Sequence, residues 1–239
     1  LPGWPALQKL DGVVTIDGRS LKVEGQQASL LDATVAHALR ADIPDLRHPR
    51  LAVSGDLQSS GPDLVRLFKE SPLRGYTGSL AEILQIKGAL LGQLMLDIPL
   101  AAQTHTADVS VKARLDENQL VLPGRSLLVD GLRGEVRYST KGGLTADALS
   151  GHMLGAPVTA RIGSAVRKGV LQQVQVDVDG RVGVSALQEW LGGPLWQALS
   201  GEAPYQARIR IPAGKQPAQL QVTSSLAGMS ILLPAPLGK

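Results

Sequence analysis

The chain has 239 residues, of which 44 % are hydrophobic but only 3 % aromatic, and it contains 27 glycines, 15 prolines and no cysteine. The lack of cysteine excludes disulfides and thiolate chemistry. The formal net charge of +3 is scattered along the chain, and aromatic side chains that stack on bases are few, so nothing in the composition supports nucleic-acid binding. Small aliphatic residues mixed with many turn residues are typical of a protein with many strands.

The chain contains no evident targeting or membrane-spanning segment. Leu1 is not a natural start, and no charged segment followed by a short apolar core comes after it. No apolar run approaches the roughly 20 residues that a transmembrane helix needs. We therefore expect this chain to be a section of a longer protein whose targeting segment lies elsewhere.

The first recognisable element is a pair of strands within Leu10–Gly25, separated by a turn at Gly18. Adjacent Val13 and Val14 cannot both face inward in a strand that is buried on one side. A similar segment further along the chain resolves this ambiguity, because its register aligns Val13 with a glutamate. We therefore predict that Val14 and Ile16 form the inward set.

A strand followed by a short helix comes next. The alternating residues 51–57 predict the strand, and residues near 62–70 predict a helix with Leu64, Leu67 and Phe68 on one face. A second helix is predicted near 79–86, because Ser79 and a glutamate three residues later form the pattern of a capping box.

The same strand and helix pattern returns at residues 174–195. Alternating valines predict a strand, and Ser185 with Gln188 has the spacing of a capping box for a helix near 185–191. Gly192 is placed to end this helix. Its apolar face consists of Leu187, Trp190 and Leu191.

The two strand and helix units mark an internal repeat. Equivalent positions lie about 122 residues apart, as in Gly12 and Gly134 or Pro72 and Pro194. The repeat predicts a first β unit at 1–131 and a second at 132–239, together one continuous section. Units of this kind stack on their neighbours and extend one sheet, as solenoid repeats do.

The alternating strands predict one long apolar face. Its expected members are Val14, Ile16, Leu21, Val23, Val109, Val111, Ala113, Leu115, Val136, Val174, Val176, Val178, Ile209, Ile211, Leu220 and Val222. The face is either a core closed by helices and a second layer or an open trough for acyl chains. The residues alone favour the closed core, although two short helices offer little cover for so many strands.

A search for chemistry finds no catalytic, metal or cofactor site. The four histidines lack the spacing of a metal site. Neither a nucleophile elbow nor a phosphate-binding loop is present. Most carboxylates fall on the polar face of strands or in turns, which is typical of a solvated surface. We therefore expect no enzymatic activity and no cofactor.

Several short motifs resemble the AsmA-like family, specifically its YhdP branch. They are residues 4–14, Ala41–Leu46, Glu70–Leu73, Leu96–Leu100 and Leu232–Lys239, and their order and spacing cover nearly the whole chain. The resemblance implies an elongated, twisted antiparallel sheet that curls into a hydrophobic groove.

The resemblance also implies a function and a location. Such proteins are anchored in the inner membrane of Gram-negative bacteria, project into the periplasm and take part in phospholipid transport to the outer membrane. The implied partners are phospholipid acyl chains, neighbouring repeats of the same protein, and inner- and outer-membrane proteins. The alternative is a structural β repeat of the cell envelope that carries no lipid.

Overall fold

The structure is a computed structural model that describes residues 6–70, 85–100, 107–122, 127–193, 196, 198–214 and 216–231. Fourteen strands of this part of the chain form one sheet, in which every strand pair is antiparallel. Two helices are described with it, α1 (Gly61–Glu70) and α2 (Val184–Leu191). The predicted fold class, a mainly β chain with an extended antiparallel sheet, is confirmed.

The strands follow one another along the chain. The first seven are β1 (Gln8–Asp17), β2 (Ser20–Leu31), β3 (Thr34–Ile43), β4 (Arg50–Ser60), β5 (Gln85–Lys87), β6 (Ala89–Pro99) and β7 (Asp108–Leu122). The second seven are β8 (Leu127–Ser139), β9 (Gly143–Met153), β10 (Ala156–Arg167), β11 (Val170–Gly183), β12 (Leu199–Pro212), β13 (Gln219–Ser224) and β14 (Met229–Ile231). Helix α1 follows β4, and α2 follows β11.

The sheet is a continuous meander. The pairing order is β1-β2-β3-β4-β6-β7-β8-β9-β10-β11-β12-β13, while the short strands β5 and β14 pair with β7 and β12. The same order of elements occurs twice, since four strands, a helix and further strands are followed by four strands, a helix and further strands. The sheet therefore extends in one direction as the chain advances.

The first hairpin has the predicted form. Strands β1 and β2 are joined at Gly18, whose φ of +54° lies in the left-handed region that glycine adopts without strain. Val14 pairs with Val23, whereas Val13 lies opposite Glu24. Val14 therefore lies on the face that carries the valine, and Val13 lies on the face that carries the charge.

The two helices begin in different ways. The Ser60 hydroxyl accepts a hydrogen bond from the backbone N–H of Asp63 at 3.2 Å, so a side chain caps α1. Helix α2 begins at Val184, and Gly183 precedes it in an extended conformation without a side-chain cap. The predicted capping box at Ser185 is therefore wrong, because β11 runs directly into the helix and places Ser185 inside its first turn.

The end of α2 lies where the sequence predicts it. Gly192 has φ +66°, and its N–H donates to the carbonyl of Gln188 at 2.8 Å. The helix expected near 79–86 lies mostly outside the described residues. Its last two positions, Gln85 and Ile86, belong to β5 instead.

A buried asparagine fixes a break between β5 and β6. Asn118 has no exposed surface, and its amide donates to the carbonyls of Lys87 at 3.1 Å and Ala89 at 2.9 Å. Gly88, between these two residues, has φ +103°, and a Cβ atom there would lie 2.6 Å from the Asn118 amide. Strands β5 and β6 thus pair with successive parts of β7, at residues 119–121 and 108–115.

The core lies on one face of the sheet, which curls around it. Leu144 of β9 packs against the cluster of Leu171 and Val174, both on β11, although β10 lies between these two strands. Side chains of strands that are not neighbours in the sheet meet only if the sheet bends toward this face. Neither described helix is both long and apolar enough to cross a membrane.

Candidate functional site

The candidate site is the concave face of the sheet, here called the inner face. It is built by residues at alternate positions of successive strands, because side chains of a strand point to opposite sides. In the first half, Val14 pairs with Val23, and Val53 pairs with Leu96, which in turn pairs with Val109. This row of cross-strand neighbours contains only aliphatic side chains.

A second row continues the inner face in the other half. Ile162 pairs with Val176, Val176 with Ile209, and Ile209 with Leu220, across β10 to β13. The two rows are linked in the middle of the sheet, where Leu144 packs against the clusters on both sides. The apolar surface therefore runs without interruption across the described strands.

The strand register places every residue of the expected apolar face on the inner face. The buried members are Val109, Val111, Ala113, Leu115 and Val174. The half-buried members are Leu21, Val23, Val136, Val176, Val178, Ile209 and Ile211. The exposed members, with 57 to 68 % of their surface accessible, are Val14, Ile16, Leu220 and Val222. Burial therefore decreases from the central strands toward the two terminal strands.

This gradient bears on whether the inner face is a closed core or an open trough. The central strands cover one another through curvature, since Leu144 of β9 packs against the cluster of Leu171 and Val174 on β11 across the intervening β10. The described strands all belong to a single sheet, so the cover comes from curling and from the helices. At β1 and β13 the same face is open, so the arrangement is a trough with a well-packed middle.

Helix α1 lies over one end of the strands and contacts the inner face. Its Leu64 packs against the cluster that contains Leu90 and Leu115, and its Leu67 has only 4 % of its surface exposed. The side chain of Phe68 lies outside the described part of the structure.

A buried carboxylate fastens α1 to the sheet. Asp63 accepts hydrogen bonds from the Ala33 N–H at 2.7 Å and from the Thr34 hydroxyl at 3.0 Å. The Thr34 hydroxyl also lies 2.8 Å from that of Ser59. Since Asp63 and Thr34 are both buried, this network holds the helix against the β2–β3 turn.

Helix α2 follows β11 as α1 follows β4, but the side chains of its predicted apolar face are less buried than Leu67 of α1. Val184 is buried, Leu187 and Trp190 are half-buried, and Leu191 is 46 % exposed. The predicted apolar face of this helix is thus only partly turned to the sheet. Val184, which the helix pattern did not include, is its best-packed residue.

Several inner-face residues were not predicted. They include Leu57, Leu90, Leu94, Leu96, Leu144, Leu149, Val158 and Ile162. Strict alternation in β10 would have found Val158 and Ile162. In β6, however, Leu90 and Leu91 are adjacent, as are Leu94 and Met95, and only the pairing with β7 shows which of each pair faces inward.

One buried polar atom of the inner face has no partner among the described residues. The Tyr205 hydroxyl forms no hydrogen bond with them, and burial raises the pKa of this phenol. It lies over Gly180, where a Cβ atom would be 2.8 Å both from this oxygen and from a methyl carbon of Val158. Glycine at position 180 thus makes room for the tyrosine ring.

The opposite, outer face carries charges that pair with one another. Arg208 donates to Asp177 at 2.6 Å, and Arg161 lies 3.6 Å from Asp179. The hydrogen bond from Arg208 is the main reason why the pKa of Asp177 lies below its usual value. Among the described residues, no group of three potential ligands is close enough to hold a metal ion. The outer face is therefore a solvated, ion-paired surface.

Comparison with known proteins identifies the family to which the chain belongs. The family described as YhdP protein matches residues 1–239. The chain is 28 % identical over 250 residues to the intermembrane phospholipid transporter YhdP of Escherichia coli (strain K12), an alignment that covers 100 % of this chain and 19 % of that protein. No solved structure matches the chain significantly.

Proposed function

Because the chain belongs to the YhdP family, we propose that it forms one section of a periplasmic conduit that moves phospholipids between the inner and outer membranes. The observation that carries this proposal is the continuous apolar inner face, which crosses the sheet from β1 to β13. The relative named as an intermembrane phospholipid transporter supports the choice of phospholipid as the cargo.

The energetics of the inner face suit a moving lipid. Each CH₂ group of an acyl chain gains about 0.8 kcal/mol when it leaves water for an apolar surface. Val176, Ile209 and their neighbours offer contacts that are not directional, so a chain exchanges one set for the next at little cost. A pocket with placed polar groups would instead hold one ligand in one position.

The sheet is long enough to act as a section of a path. Twelve strands lie side by side in the main pairing order. With neighbouring strands spaced about 4.8 Å apart, the inner face extends roughly 50 Å along the direction of the proposed transport. The chain spans 19 % of the length of its relative, so further sections of this kind are expected in the whole protein.

The two terminal strands support a partnership with neighbouring repeats. Within the described structure β1 pairs with β2 alone and β13 with β12 alone, so each leaves one edge open. Open edges pair readily with further strands. We infer that units at 1–131 and 132–239 continue into similar units of the full-length protein, and that inner- and outer-membrane proteins contact its two ends.

The conduit would operate in the periplasm, held by an inner-membrane anchor outside this chain. The proposal requires binding and sliding of lipid, without a catalytic residue or a cofactor. The residues that we assign to it are those of the inner face, including Val14, Val111, Val176 and Val222.

Lipid that co-purifies with the chain tests this function. Phospholipid released by denaturing the purified chain is quantified by mass spectrometry, with an outer-face variant such as Gln173→Asp as a matched preparation. The conduit predicts bound phospholipid in both preparations. A chain that carries none, even after incubation with phospholipid vesicles, would instead have a structural role.

A further inference from the structure

The meander places its turns along two opposite edges of the trough. Because successive strands run in opposite directions, every second connection lies at the same edge. The edge on which neither described helix lies, here called the turn rim, comprises residues 17–20, 44–50, 97–100, 107–108, 139–143, 167–170, 212–214 and 216–219. The other edge, here called the helix rim, comprises residues 31–34, 60–70, 85–89, 120–122, 127–130, 153–156, 181–193, 199–202 and 224–229.

Backbone hydrogen bonds join the first three turns of the turn rim to one another. The Leu46 N–H donates to the Arg19 carbonyl at 2.8 Å, which ties the first turn to the second. The Leu100 N–H donates to the Pro49 carbonyl at 2.9 Å, which ties the second turn to the third. Groups carried by these turns therefore keep a fixed order along the trough.

The two rims differ in charge. The described turn rim holds six cations, Arg19, Arg47, Arg50, Lys141, Arg167 and Lys168, and four carboxylates, Asp17, Asp45, Asp97 and Asp108. The described helix rim holds four cations, Arg66, Lys69, Lys87 and Arg181, and six carboxylates, Asp32, Asp63, Glu70, Asp130, Glu189 and Glu202. One edge of the apolar trough is thus net positive, and the other is net negative.

The turn rim also keeps cations that are free to bind an external anion. Arg19, Arg47, Arg167 and Lys168 are exposed and form no ion pair with the described residues, whereas Arg50 and Lys141 pair with the nearby aspartates. The second half of the turn rim, around residues 167–170, contains no carboxylate at all.

The two described arginines of the helix rim already form ion pairs with carboxylates. Arg66 lies 3.0 Å from Asp32 and 3.0 Å from Glu70, and Arg181 lies 2.9 Å from Glu202. An anion that approached this rim would meet Glu189, which forms no ion pair with the described residues, and would compete with existing ion pairs. The turn rim is therefore the better match for the negative charge of an anion.

We propose that the turn rim holds the phosphate groups of phospholipids whose acyl chains lie on the inner face. This inference rests on the proposed function and adds an orientation to it. Arginine and lysine donate charge-assisted hydrogen bonds to phosphate oxygens, while the apolar face beside them accepts the chains. The acyl ends then extend toward the helix rim, where α1 covers the inner face through Leu64.

Two photoreactive phospholipids test this orientation. Both are phosphatidylethanolamines with a diazirine, one on the headgroup and one near the methyl end of an acyl chain. The chain is irradiated with vesicles of phosphatidylethanolamine and phosphatidylglycerol that contain either probe, and labelled residues are mapped by mass spectrometry. We expect the headgroup probe to label residues 44–50 and 167–170, and the acyl probe to label the inner face.

The outcomes separate this inference from the function on which it rests. Acyl labelling of the inner face with headgroup labelling of both rims, or of the helix rim alone, would leave the conduit intact and overturn the orientation. Absence of acyl labelling from the inner face would overturn the conduit itself, and headgroup labelling of the turn rim would then indicate contact with a membrane surface.

A charge-reversal pair provides the matched control. Arg167→Glu with Lys168→Glu should lower headgroup labelling at least about fivefold, because one basic residue close to anionic lipid contributes about that factor. Lys69→Glu with Lys87→Glu changes the total charge equally on the helix rim and should leave labelling unchanged. Equal losses in both variants would contradict the proposal.

A final experiment distinguishes binding of lipid phosphate from binding of free phosphate. Inorganic phosphate is titrated into the lipid-free chain and followed by phosphorus NMR. Weak or absent binding is expected, because a free ion lacks the acyl chains that hold the lipid beside the rim. Binding as tight as that of the phospholipid would identify a free-phosphate site and overturn the assignment.

Discussion

A carboxylate placed in the middle of the inner face should block lipid binding. Val176 lies on β11 between Ile162 and Ile209, is half-buried, and is surrounded by aliphatic side chains. In Val176→Asp, an acyl chain that covers this position must remove water from an ionised group that pairs with no cation of the described strands on the inner face. We therefore expect the variant to fold and to bind lipid poorly.

The size of the effect follows from the cost of removing a polar group from water. Because the position is half-exposed, the carboxylate remains partly hydrated, and about 2–3 kcal/mol is a reasonable penalty for each lipid that covers it. This corresponds to an affinity that is roughly 30- to 150-fold lower. The assay is displacement of a fluorescent acyl probe by phospholipid, with circular dichroism to verify the fold.

The matched control introduces the same charge on the other face of the same strand. Gln173 pairs with Ala165 and Pro212 on the outer face, so Gln173→Asp should bind the probe as the unchanged chain does. Equal affinity in Val176→Asp and the unchanged chain would refute the reasoning. So would an equal loss in both variants, because it would show that the face of the strand does not matter.

Three further predictions concern the polar groups. Tyr205→Phe removes a buried hydroxyl without a partner, so the free energy of unfolding of the lipid-free chain, measured in urea, should stay equal or rise by up to about 1 kcal/mol; a clear loss would reveal a missed partner. Asp63→Ala removes the bonds that fasten α1 to Thr34 and its turn, and should lower that free energy by about 2–3 kcal/mol; an unchanged midpoint would contradict the role of the network. The pKa of Asp177, measured by NMR, should lie below 3.8 and move back toward it in Arg208→Gln. Because the folded pKa is the lower one, this pair stabilises the chain above about pH 4, and that contribution is lost as the pH falls through the folded value; a pKa that the variant leaves unchanged would contradict this cause.

The alternation of side chains made most of the sheet predictable. In β1 and β2 the pattern around Gly18 gave the hairpin, and the internal repeat decided between Val13 and Val14. Where two apolar residues are adjacent, as at Leu94 and Met95 of β6, no local pattern exists. The face is then decided by the partner strand, since Leu94 pairs with Val111.

The helix starts show a different limit. Ser60, whose hydroxyl caps α1, and Asp63 three residues later have the spacing that marks a helix start, and the same spacing at Ser185 was misleading. Both helices follow a strand directly, since β4 ends at Ser60 and β11 ends at Gly183. The difference is the position of the serine, because Ser60 is the last residue before α1, whereas Ser185 is the second residue of α2. A capping pattern therefore marks a helix start only where the strand ends at the serine itself.

The curvature of the sheet could not be predicted from the sequence pattern. It depends on contacts between strands that are not neighbours in the sheet, such as that of Leu144 of β9 with the cluster of Leu171 and Val174 on β11. These contacts decide that the central inner face is buried while its ends are open. The composition of the face alone was compatible with both a closed core and a trough.

The most direct test of the conduit places a photo-crosslinking residue at Val176 in one variant and at Asp177 in another. These neighbours lie on opposite faces of one strand, so they sample the inner and outer surfaces at the same point along the sheet. Incubated with phospholipid vesicles and irradiated, the Val176 variant should form a covalent adduct with lipid, and the Asp177 variant should not. Adducts at position 177 without adducts at position 176 would contradict the assignment of the inner face as the path of the lipid.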